Sequence, residues 1–86
     1  MEFQVSLTPQ AKYDLEEIGR YVARTDAVAA PQFCDELVYR VQSLKDFPRR
    51  HGRFTRRPNI RKLPYKNYLI FYKIHEDTQV VEILRF

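Results

Sequence analysis

Residues 56–74 read RRPNIRKLPYKNYLIFYKI, and the way this stretch divides decides the fold. Its second half is apolar or aromatic at every position over residues 68–72. A strand with one wet face alternates apolar and polar residues; a strand covered on both faces, or central in its sheet, does not. Residues 68–74 are therefore expected at the centre of a sheet. The preceding residues 60–65 alternate, with Arg61, Leu63 and Tyr65 on one face and Ile60, Lys62 and Pro64 on the other, which reads as a second strand. Pro64 donates no backbone hydrogen bond and is expected at that strand's end. Pro64-Tyr65-Lys66-Asn67 then reads as the hairpin connection. Across the central strand, Tyr68 and Tyr72 share one face and Leu69, Phe71 and Lys73 the other.

Working outward, His75-Glu76-Asp77-Thr78 reads as a turn into a last strand over 79–86. At the other end Phe3, Val5 and Leu7 alternate with Glu2, Gln4 and Ser6, again the period of a half-buried strand. Thr8-Pro9 supplies an N-cap and a first helical residue. Ala11, Leu15, Ile18 and Val22 form one apolar stripe, so a helix is expected over 9–24. Thr25-Asp26 offers the next cap. A second stripe, Ala30, Phe33, Leu37, Val41 and Leu44, predicts a helix over 30–46, its first turn disturbed by Pro31. Phe47-Pro48 ends it, and residues 49–58 read as a basic loop without periodicity. The expected architecture is β-α-α-β-β-β: α+β, a four-stranded antiparallel sheet with an N-terminal helical hairpin packed on one face.

The 86 residues are the length of one domain, expected over 1–86, and a 44% hydrophobic content with two glycines is that of a folded chain. No apolar run approaches the roughly 20 residues that cross a bilayer, and MEFQVSL lacks the regions of a signal peptide. A soluble, cytoplasmic protein with no membrane partner is expected. The single Cys34 excludes an internal disulfide and reads as a small core residue. His51 reads as a solvated loop residue and His75 as a polar residue beside a turn. With no local carboxylate partner they leave a metal site short of ligands, so neither metal nor cofactor is expected.

Net charge is +4, but the charges are divided. Residues 47–75 hold Arg49, Arg50, Arg53, Arg56, Arg57, Arg61, Lys62, Lys66 and Lys73 and no acid, a formal +9 against −5 for the rest. Such a division implies an acidic partner, nucleic acid or polypeptide, for the middle of the chain.

The order of these pieces resembles the ParE/RelE superfamily of toxins from type II toxin–antitoxin pairs. The resemblance rests on Leu7-Thr8-Pro9-Gln10-Ala11, Asp14-Leu15-Glu16-Glu17-Ile18, Tyr21-Val22-Ala23-Arg24, Phe47-Pro48-Arg49-Arg50, Ile60-Arg61-Lys62-Leu63-Pro64, Tyr68-Leu69-Ile70-Phe71-Tyr72-Lys73-Ile74 and Val81-Glu82-Ile83-Leu84-Arg85. It implies a partner, a cognate antitoxin whose acidic C-terminal segment wraps the toxin in a hetero-oligomer, and a role in plasmid stabilisation. It also implies one of two targets: DNA gyrase for ParE-like members, the ribosome and its mRNA for RelE-like members.

A RelE-like nuclease would need a proton acceptor, a proton donor and cations about the phosphate. The resemblance places that role on Arg61, Lys62, Tyr68 and Arg85. The position after the tyrosine, commonly Arg in the nuclease branch, is Leu69, and the basic or aromatic tail usual in related chains is not seen after Phe86. The expectation is therefore a ParE-like inhibitor of gyrase without a catalytic set. Its target- or antitoxin-binding residues would be Arg49, Arg50, Arg53, Arg56, Arg57, Arg61, Lys62 and Lys66. A RelE-like endoribonuclease and an inactive antitoxin-binding relative are the alternatives.

Overall fold

In the computed structural model, which describes residues 2–54 and 56–86, the chain begins with strand β1 (Gln4–Leu7) and helices α1 (Pro9–Thr25) and α2 (Ala29–Gln42). Short 3-10 turns at Ser43–Lys45 and Pro48–Arg50 lead into strands β2 (Arg53–Phe54), β3 (Arg57–Tyr65), β4 (Tyr68–His75) and β5 (Val80–Arg85).

The strands form one sheet in the order β1-β5-β4-β3-β2. The apolar run of β4 sits in the middle, between antiparallel partners on both sides. Leu63 lies opposite Ile70, and Ile83 opposite Tyr72. All four are fully buried, together with Val81 and with Leu37, Val41 and Leu44 of the helical layer. Burial of this kind is worth roughly 1.5–3 kcal/mol per large aliphatic side chain. The helices cover this face alone. Ile60, Lys62, Leu69, Phe71 and Lys73 lie in register on the other, with Leu69 46% exposed.

Thr8 fixes how the chain leaves the sheet. Its Oγ1 accepts from the Ala11 N–H at 3.0 Å, capping α1 as the sequence predicts, and donates to the Leu84 carbonyl at 3.1 Å. Its own N–H donates to the Ile83 carbonyl at 3.1 Å. At the start of α2, Asp26 accepts from the Ala29 N–H at 3.0 Å. Pro31 is the third residue of α2, where its missing N–H costs the helix nothing, so the first turn is regular. The two helices approach closely at Gly19, where a Cβ would stand 3.2 Å from Cys34 Sγ.

The expected fold class holds, with three differences of detail. The sheet is mixed rather than antiparallel, because β1 runs parallel to β5. Two Thr8 bonds, from its N–H to the Ile83 carbonyl and from its Oγ1 to the Leu84 carbonyl, hold the end of β1 beside the end of β5, so that both strands point the same way. The sheet has a fifth strand, since the expected loop over 49–58 contributes β2 and the first residues of β3; Thr55 lies outside the described residues. Pro64 lies within β3 rather than at its end. Beyond the two residues of β2 that part of β3 is a sheet edge, where a proline is tolerated and hinders the addition of another strand.

Candidate functional site

On the helix-side face, beyond the reach of the helices, Arg49, Arg53, Asn59, Arg61, Ile74 and Glu76 line a cavity of about 220 Å3. Three arginines and one glutamate thus share its lining. Asn59 and Arg61 are two residues apart on β3 and so share a face. Arg61 is held in place: its Nη1 donates to the His51 carbonyl at 2.8 Å and to the Arg49 carbonyl at 3.2 Å. Those bonds occupy one nitrogen and leave the rest of its donor fork for the cavity. Arg49 pairs with Glu76 from the β4–β5 turn, and its guanidinium carbon lies 5.9 Å from the centre of the Phe3 ring. Both partners of that pair are more than half exposed, so it contributes little stability and can exchange.

The other basic residues of the middle segment go elsewhere. Arg50 donates to Ser43 Oγ at 2.7 Å, tying the two 3-10 turns together. Lys66, in the left-handed region at φ 53°, sits 3.4 Å from Glu36 and over the Phe33 ring at 5.1 Å. Tyr65 donates to the same Glu36 carboxylate at 2.6 Å, so these groups clasp the β3–β4 hairpin to α2. The Tyr65 hydroxyl and the Lys66 ammonium hold the Glu36 carboxyl below its ordinary value. Arg56 is exposed. Arg57 lines a groove of about 370 Å3 with Ile60, Phe71, Leu84 and Arg85. The charge that is continuous in sequence is therefore split over several surfaces.

The four residues that a RelE-like nuclease would use are not brought together. Arg61 lies opposite the buried Tyr72 on the helix side, and Lys62 lies opposite Phe71 on the other face. The Tyr68 ring packs against Phe33 of α2, with centroids 5.8 Å apart. Arg85 is engaged by its own protein: Asp14 of α1 accepts from its Nε at 2.7 Å and its Nη2 at 3.1 Å. Asp14 also accepts from the Phe86 N–H and from Gln10 Nε2, each at 3.1 Å. Burial pushes the Asp14 carboxyl up, but these hydrogen bonds and the Arg85 charge outweigh it and hold the group below its ordinary value.

His51 is half-buried rather than solvated, and its Nε2 meets no partner among the described residues. Burial, and then the charges of Arg50 and Arg40, lower its pKa, which favours the neutral ring. His75 bonds Glu82 at 2.9 Å across β4 and β5. Among the described residues no three His, Cys, Asp or Glu side chains stand close enough to hold a metal ion. Burial raises the Cys34 thiol pKa, and Asp35 adds to it, which disfavours the reactive thiolate. Among the described residues no helix is long and apolar enough to cross a membrane.

Three contributors were missed from the sequence. Asn59 was detectable, since the period of two puts it on the face of Arg61. Asp14 left a trace too, being an acid within the apolar stripe of α1, three residues after Ala11 and four before Ile18. Glu76 left none, because nothing local brings a turn acid to Arg49.

A family described as the ParE toxin of type II toxin–antitoxin system, parDE, has a model that matches residues 5–86. Among solved structures, a chain of the chromosomal ParDE system of P. aeruginosa superposes with a TM-score of 0.83 at 20% identity, covering 96% of this chain and 91% of that one. A chain of the RelBE2 toxin–antitoxin complex of Mycobacterium tuberculosis gives 0.77 at 23% identity, covering 99% and 88%. At these identities the likeness to both is one of fold. No curated protein matches the chain.

Proposed function

Because the chain belongs to the family of ParE toxins of type II toxin–antitoxin systems, we propose that it inhibits DNA gyrase without catalysing a reaction itself, and that a cognate antitoxin keeps it silent. The observation that carries this reading is the dispersal of the nuclease residues. Lys62 is on the opposite face of the sheet from Arg61, Tyr68 is packed on Phe33, and Arg85 is clamped by Asp14. Proton transfer to and from an RNA phosphate needs donor and acceptor within hydrogen-bond reach of one reacting centre. A binding toxin needs only a rigid scaffold and a complementary surface.

The sheet face away from the helices suits the antitoxin. Leu69, Phe71 and Ile60 give it apolar area, and Lys62 and Lys73 stand among them. An apolar face with basic residues fits a segment that alternates apolar and acidic side chains. The test is the supercoiling of relaxed plasmid by purified gyrase. The chain is expected to stop it, and the antitoxin to restore it. Unimpaired supercoiling at a large excess of the chain would remove the reading.

A further inference from the structure

The cavity lined by Arg49, Arg53, Asn59, Arg61, Ile74 and Glu76 has no part in the reading above beyond belonging to a basic protein. We infer that it is a phosphate-binding site that takes a backbone phosphate of DNA, with the Glu76 carboxylate occupying the place of that phosphate in the free protein.

Charge comes first. Three arginines and one glutamate line the site, so its formal charge is +2, within a concave surface that strengthens the field. A backbone phosphate in exchange for Glu76 carries the same single charge, but its two free oxygens accept from several donors at once, and the neighbouring phosphates of the strand meet the charge that remains. Preorganisation comes second. The Arg61 fork is fixed by the carbonyls of Arg49 and His51 at 3.2 and 2.8 Å, and Arg49 rests over Phe3 at 5.9 Å. Little freedom of the Arg61 side chain remains to be lost on binding. Exchangeability comes third. The Arg49–Glu76 pair is exposed on both sides, and Glu76 sits on a turn from which it can swing away.

The lining also separates DNA from a polypeptide. Ile74 is its one aliphatic residue, so the side chains that flank an acid in a peptide would find little to pack against. A sugar–phosphate backbone asks only for charge and polar contacts. The site deepens the gyrase reading by giving the DNA in that complex a point of contact, and rests on that reading only for this role.

The test uses the purified full chain, a short fluorescent DNA duplex and no gyrase. Glu76→Gln removes the internal counter-ion and is expected to tighten duplex binding by about 3–10-fold, a gain that misfolding cannot imitate. Arg53→Gln is expected to weaken binding by about 5–10-fold and to lower the log–log salt slope by about 1. Lys12→Gln makes the same charge change on exposed α1 and is expected to leave affinity within about twofold. Inorganic phosphate should compete with the duplex and shift the amide signals of Arg49, Arg53, Asn59 and Arg61. Several outcomes would overturn the inference: no gain in Glu76→Gln, equal losses in Arg53→Gln and Lys12→Gln, inorganic phosphate binding without duplex binding, or poly-glutamate binding more tightly than the duplex. If Arg53→Gln still blocks gyrase fully while the duplex data fail, the site is wrong and the gyrase reading stands.

Discussion

Asp14 is a buried acid that gathers four hydrogen bonds, two of them from Arg85 and one from the backbone of Phe86. Removing it strands donors drawn from both ends of the chain. Asp14→Asn is expected to lower stability by about 1–3 kcal/mol at neutral pH in urea unfolding. The sign of the pH dependence follows from the depressed carboxyl. A folded pKa below the unfolded one gives stability that is complete above the ordinary carboxylate value, about 4, and is lost as acid protonates the folded group. The gap between wild type and Asp14→Asn should therefore narrow below about pH 4; a gap that widens on acidification would contradict the clamp. Tyr72 is the second decisive residue. Fully buried, it donates to the Pro48 carbonyl at 2.6 Å, and burial raises its pKa. Tyr72→Phe leaves that carbonyl without its donor and should cost about 1–2 kcal/mol.

At the scale of elements, the α1–α2 contact turns on Gly19 and Cys34. A Cβ at Gly19 meets the sulfur at 3.2 Å, closer than ordinary contact, while alanine gains roughly 1 kcal/mol of helix propensity over glycine. The two effects oppose each other, so Gly19→Ala alone should change the melting temperature little. In a Cys34→Ala background the clash is gone, and the same substitution should stabilise by about 0.5–1 kcal/mol. Equal effects in both backgrounds would show that the helices do not meet there. The elements themselves were largely legible. β3, β4 and β5 follow one another through short turns, and the change from alternation at 60–65 to an unbroken apolar run at 68–72 placed β4 centrally. The direction of β1 was not legible, because no turn joins it to β5; two hydrogen bonds from Thr8 to the Ile83 and Leu84 carbonyls, made only in the folded state, decide it. Two-residue β2 carries no period to read.

Over the whole molecule, the acid-free run of 47–75 was plain in the sequence, but its distribution was not. Arg61 and Lys62 are neighbours in the chain and point to opposite faces of the sheet. Arg50 and Lys66 are drawn to Ser43 and Glu36, and Arg49 to Glu76, by contacts between distant segments. A charge count locates a basic segment; only the fold divides it into a cavity on one side and an apolar face with basic residues on the other. That division predicts different salt and mutation responses for the two surfaces. Lys62→Glu combined with Lys73→Glu should weaken antitoxin binding about tenfold or more at physiological salt, where long-range charge effects are screened, and weaken duplex binding by the cavity far less. An equal loss of both would mean that one continuous surface serves them. On the proposed reading this scaffold presents charge without a catalytic set. Primer extension on mRNA in a purified translation system containing the chain tests it most directly. A preparation that blocks gyrase supercoiling should leave full-length products. Cuts within ribosome-bound codons that vanish in Lys62→Ala or Tyr68→Phe would contradict that reading.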